Sequence, residues 1–279
     1  MAYHEGLPEE SKDQTPVYKK ISDHKVGRIL KNLGYRYIHI GSKVNFSRKS
    51  MVADTNICQS MLPEFIWQLY STSMAERILE ELDMNLCKKT GYKWILFQLQ
   101  AISNAIKAPK PVFIFAHILV PHNPFVFDEK GVFQSHNVQR RIDKKTLYIN
   151  QVKYINGEIL KLVDTLLAVS GPKPVIIVQS DEGPPYAGTN ECFEKNTSTG
   201  LSVRTGILNA MYLPEVDTSG ISRQITSVNT FRLVLKKYIN ENVRLLPDKV
   251  YFFDWKKPYK FKEITDSVIT MHEESNAGN

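Results

Sequence analysis

The sequence predicts one α/β domain, with a mainly parallel central sheet covered by helices on both faces. Three observations predict it. Pro111 to Val120 is an apolar run interrupted by His117 alone, the pattern of a strand buried on both faces. Pro174 to Gln179 repeats that pattern. Between them, Asp143 to Val169 places Tyr148, Val152, Ile155, Ile159, Val163 and Leu166 along one helical face. Strand, long helix, strand is the order of a parallel crossover.

The other elements fit around this centre. Residues 1–13 read as an arm. Ser22-Asp23 offers an N-cap to a helix with Val26, Ile29, Leu30 and Leu33 at helical spacing, and Gly34 stops it. Tyr35 to Ile40 alternates as a short strand does. Met61 to Leu86 and Trp94 to Ile106 read as mostly helical. Gly171-Pro172 closes the long helix, and Ile207 to Leu213 reads as a third strand. Ser227 to Ile239 forms an amphipathic helix, and Val250 to Phe253 a last short strand. The domain runs over residues 1–256, with 257–279 as a C-terminal extension.

The composition suits a folded chain. Of 279 residues, 42% are hydrophobic and 23% charged, and a chain this long buries about three quarters of its unfolded surface. The formal net charge of +7 and the pI near 9.1 favour an anionic partner. Lys and Arg are spread thinly, with only doublets such as Arg140-Arg141 and Lys236-Lys237, so no nucleic-acid surface is expected. Cys58, Cys87 and Cys192 fit no metal-ligand spacing. No apolar stretch reaches the ~18 residues of a membrane span. The polar, acidic start is not a secretory signal, so Met1 as the true start would place the chain in the cytoplasm. The sequons at Asn45 and Asn196 matter only in a eukaryotic secretory setting.

Chemistry is expected where loops leave the carboxyl ends of parallel strands. The strand ending at Gln179 runs into Ser180-Asp181-Glu182-Gly183. Asp-Glu-Gly is by itself a common surface turn, but directly after a buried strand it becomes a candidate cradle for a hard cation. The strand over 111–120 carries His117 and empties into Pro121-His122-Asn123-Pro124. His122, held between prolines, suits a cleft better than a core, and it can donate to a phosphate or sulfate oxygen. His117 suits a satisfied core histidine equally well. Arg204 can steer an anion, but surface solvation or a structural ion pair suits it equally well. His4, His24, His39, His136 and His272 read as structural or solvated. No Gly-rich phosphate loop, G-x-S-x-G elbow or H-E-x-x-H helix occurs.

Together these segments resemble the sulfatase branch of the alkaline phosphatase superfamily, particularly its prokaryotic membrane-anchored members. The segments are 113–117 with 121–125, then 148–154, 174–184, 204–214 and 227–232. The resemblance implies a metal-dependent hydrolase or transferase acting on a phosphate or sulfate ester. Asp181 and Glu182 then correspond to metal ligands, His122 to a catalytic histidine at the transferred group, and His117 and Arg204 to substrate-binding residues. Ser180-Asp181-Glu182-Gly183 departs from the family's Ser-Asp-His-Gly. An anionic Glu there favours manganese, magnesium or calcium over zinc. The family's first metal ligand and its nucleophile loop lie upstream of anything matched, so the resemblance implies an incomplete catalytic domain. Such a chain is expected to hold its metal weakly or not at all, and to reach the extracytoplasmic face of a membrane through upstream segments. The competing expectation is a non-catalytic module binding an anionic glycan, lipid headgroup or protein partner.

Overall fold

The structure is a computed structural model. It describes residues 6–58, 69, 72–74, 78, 81, 82, 84–168, 172–184, 198–222, 224–239, 242–254 and 256–268. Most of the helix expected over Met61 to Leu86 lies outside the described residues, as do His4, Pro185, Cys192, Asn196 and His272. The fold is mixed α/β, and the chain divides into two compact units: residues 15–168, and residues 1–14 with 169–279.

The first unit holds α1 (Thr15–Ser22), α2 (Lys25–Asn32), β1 (Arg36–Ile40), α3 (Asn45–Arg48) and β2 (Thr55–Ile57). After these come α4 (Leu86–Ala105), β3 (Val112–Ala116), α5 (His136–Gln139) and α6 (Lys144–Ala168). The strands form a parallel sheet in the order β2-β1-β3, with Ile40 opposite both Ile57 and Ala116.

The expected Ser22-Asp23 cap is displaced by one residue. His24 caps α2, its Nδ1 accepting the Gly27 N–H at 2.9 Å, while Asp23 pairs with Arg28. Gly34, at φ +86°, turns the chain out of α2. β1 does not alternate as expected: Tyr37, Ile38, His39 and Ile40 are all buried, because the central strand is covered on both faces. α4 packs Ala101 and Ala105 on Ile38 and Ile40. A second cluster joins Trp94, Ile95 and Leu99 of α4 to Val126, Phe127 and Ile155. Each fully buried large apolar side chain here contributes about 1.5–3 kcal/mol.

The second unit holds β4 (Ile176–Gln179), α7 (Ser198–Thr205), β5 (Asn209–Tyr212) and α8 (Ser227–Val234), which runs into a π-helical turn at Leu235–Ile239. β6 (Tyr251–Asp254) and β7 (Lys257–Glu263) follow. β4 and β5 pair antiparallel, with Gln179 opposite Asn209, so the parallel arrangement expected for the whole sheet describes only β2-β1-β3. The reason is local. Ser180 N–H donates to Leu208 O and Leu208 N–H to Ser180 Oγ, so the chain returns beside the strand it has just left. β6 and β7 form a second antiparallel pair. Lys257–Glu263, read from sequence as the start of an extension, is thus a paired strand. Tyr259 Oη donates to Asp13 O and Lys257 pairs with Glu10, fastening β7 to the N-terminal arm. Among the described residues, no helix is long and apolar enough to cross a membrane.

Candidate functional site

β1 and β3 are parallel neighbours, so the turns that follow them leave the same edge of the sheet. Gly41-Ser42-Lys43 follows β1, and His117 through Pro124 follows β3. Lys43, Trp94, Leu119, Val120, His122 and Asn123 are among the residues lining one cleft at this edge. His122 is exposed, and its Nδ1 donates to Asn123 O at 2.6 Å, which leaves Nε2 as the ring's other hydrogen-bonding atom.

Two buried glutamines hold these turns from behind. Gln98 of α4 donates through Nε2 to Gly41 O at 2.9 Å and His117 O at 2.7 Å, tying the two turns together. Gln151 of α6 accepts the N–H groups of Val126 and Phe127 on Oε1. Its Nε2 donates to Pro121 O and His122 O, both at 3.2 Å. Both side chains are 0% exposed, and each satisfies backbone groups that would otherwise be orphaned. Trp94 is 2% exposed, and its buried Nε1 has no hydrogen-bond partner among the described residues. Sequence reasoning missed Lys43, Trp94, Gln98 and Gln151. The legible signal was a glutamine on an otherwise apolar helix face.

His117 is half-buried and engaged inward, with Nδ1 2.7 Å from Ser47 Oγ. Ser47 also meets Ser42 Oγ at 2.7 Å, and its carbonyl accepts from His39 Nε2 at 2.9 Å. His39 Nδ1 lies 3.0 Å from Tyr37 Oη, which lies 2.7 Å from His24 Nε2. Burial, reinforced by the nearby His39, pulls the His24 pKa down to about 4. Burial lowers that of His39 and pushes Tyr37 up to about 12.

The other candidates gather in the second unit. Asp181 and Glu182 are exposed on the turn after β4. The Glu182 carboxylate is ion-paired with Arg204, whose Nη1 also donates to Gly183 O at 3.0 Å. Gly183 N–H returns a bond to Arg204 O at 2.8 Å. Burial lowers the Arg204 pKa while the Asp181 charge raises it. A Cβ on Gly183 would sit 1.9 Å from Val203 O, so only glycine permits this approach. A hard cation takes six to eight oxygen ligands when it is calcium and near-octahedral oxygen when it is magnesium. These residues offer one exposed carboxylate and one already paired. Among the described residues, no cluster of three or more His, Cys, Asp or Glu gathers. Among the described residues, Asp181 and Glu182 by themselves do not make up such a set.

No family model, no curated protein and no solved structure matches this chain.

Proposed function

We propose that this chain is the ester-binding part of a sulfatase-like hydrolase or transferase of the alkaline phosphatase type. Its cleft at the β1–β3 edge takes the anionic oxygens of a phosphate or sulfate ester. The observation that carries this is the placement of Lys43 and His122 on one cleft, from turns that follow two adjacent parallel strands. An ammonium donates to such an anion, as does an imidazole in its doubly protonated form, and Gln98 and Gln151 fix the turns that present them. The net charge of +7 favours the approach of such a ligand. Arg204 is engaged with Glu182 and Gly183, so in this reading it shapes its own turn.

Group transfer requires a nucleophile activated by a metal or base, and the residues gathered at the cleft supply the anion's donors rather than that nucleophile. The chain alone is therefore expected to bind an ester without turning it over. Titration calorimetry and tryptophan fluorescence with inorganic phosphate, sulfate and p-nitrophenyl phosphate test the binding. Lys43→Gln and His122→Ala should each weaken it by roughly tenfold, the loss of one charge-assisted hydrogen bond. Unchanged affinity in both variants removes the cleft from the proposal. Turnover of p-nitrophenyl phosphate with manganese, abolished by Asp181→Ala, overturns the non-catalytic part.

A further inference from the structure

The hydrogen bonds that link His24, Tyr37 and His39 to Ser47 O permit one assignment of their protons. Gly27 N–H donates to His24 Nδ1, so that nitrogen carries a lone pair and the His24 proton is on Nε2. Nε2–H then donates to Tyr37 Oη. Ser47 O can only accept, so His39 carries its proton on Nε2 and presents a lone pair at Nδ1. Tyr37 Oη–H donates to that lone pair. The chain runs unbroken from the cap of α2, across β1, to α3, with both imidazoles neutral. At its far end Ser47 Oγ meets His117 of β3 and Ser42.

A proton added to either ring spoils this arrangement. On His24 it must go to Nδ1, where it faces the Gly27 N–H donor and abolishes the helix cap. On His39 it must also go to Nδ1, where it faces the Tyr37 hydroxyl proton. That hydroxyl would then accept from both rings and have to turn its own proton from His39 to Ser50. Little nearby charge offsets the added proton. Asp23 is paired with Arg28, and Asp54, which accepts Tyr37 N–H, is paired with Lys31. From β3 the rings of Phe113 and Phe115 pack against His24, Phe115 also stacks on His39, and His117 is a third imidazole.

We propose that this chain of histidines is an acid-sensitive latch, closed when His24 and His39 are neutral, that holds the Gly41–Arg48 segment against the sheet. Acidification releases α3 and the cap of α2 together. Lys43 lies within the latched segment, so the latch also sets whether the wall of the cleft is in place. The latch itself does not depend on what the cleft binds.

Hydrogen exchange of the amides at residues 27 and 41–48 in the whole chain, corrected for the intrinsic pH dependence, reads the latch directly. With His24 held at about 4 in the closed state and the ordinary 6.5 in the open one, opening should rise roughly twentyfold from pH 7 to pH 5. His24→Asn keeps a side-chain cap that does not titrate, and should flatten that rise. His136→Gln, on α5, should leave it intact. NMR titration of the wild-type imidazoles guards against a variant that fails to fold. His24 and His39 titrating near 6.5, or a pH response unchanged in His24→Asn, overturns the proposal.

Discussion

Two polar turns follow apolar strands in this molecule, and they are fastened in opposite ways. The turn after β3 is held from behind by Gln98 and Gln151, which bind its backbone carbonyls and leave the His122 side chain exposed. The turn after β4 is held by its own side chains, with Glu182 paired to Arg204 and Gly183 pressed on Val203. A turn whose fastening is delegated to neighbouring helices keeps its side chains for a ligand. One that fastens itself uses up the groups that made it look functional.

The turns after β1 and β4 each rely on a glycine, and the largest effects are expected there. A Cβ at Gly41 would lie 1.9 Å from Arg48 O, and one at Gly183 lies equally close to Val203 O. Neither obstacle is a flexible side chain, so Gly41→Ala and Gly183→Ala should each cost about 3 kcal/mol or more in urea denaturation. A loss below about 1 kcal/mol at Gly183 would show that the second turn yields easily, and the contrast would fail.

The next effect separates the two units by pH. His24 has its folded pKa depressed to about 4 from 6.5, and His39 is lowered too. Above pH 6.5 neither state binds the proton and no stability depends on it. As pH falls below 6.5 the unfolded chain gains protons that the folded one refuses. Stability therefore drops progressively until about pH 4, by on the order of 3 kcal/mol for His24. Urea midpoints followed by probes in residues 15–168 should shift between pH 7 and 4.5. Equal shifts in both units would point to a general acid effect instead.

Arg204→Ala comes next, with an expected cost of about 1–2 kcal/mol, because the half-buried guanidinium bonds both Glu182 and Gly183 O. Glu182→Gln should cost less than about 1 kcal/mol, since that carboxylate is largely exposed. The same Arg204 variant sharpens the comparison chemically. It frees Glu182 beside Asp181, so manganese affinity measured by calorimetry should rise. A fall would mean that Arg204 supports a cation site rather than occupying its ligand.

Much of the first unit was legible because local pattern and burial agreed. The 111–120 run yields β3, and the Asp143 to Val169 periodicity yields α6 almost to the residue. β2 was not legible: Thr55, Asn56 and Ile57 carry no strand pattern, and they are extended because β1 offers them a free edge. β7 was read as part of a C-terminal extension, although Lys257 and Glu263 are anchored by ion pairs. The antiparallel return of β5 depends on two bonds at Ser180 and Leu208 that no period encodes. At the site, His122 was legible from its prolines. Lys43 and Ser47 were not, because what makes them relevant is a strand about seventy residues further along the chain. His24 and His39 read as structural or solvated, and their connection through Tyr37 is visible only in three dimensions.

The smallest expected effect is also the most direct test of delegated fastening. His122 is exposed, and its bond to Asn123 O is local to the turn. The backbone around it is held by Gln151, not by the imidazole. His122→Ala should therefore change stability by no more than about 0.5 kcal/mol, the range of an exposed substitution with no buried partner. Gln151→Ala is its counterpart. It strips the partner from the buried Val126 and Phe127 N–H groups and should cost about 1–3 kcal/mol while also weakening phosphate binding. Thermal melts and phosphate titrations of the two variants, run side by side, give the answer. If His122→Ala destabilises as much as Gln151→Ala, the imidazole is part of the fastening, and the turn after β3 is built like the one after β4.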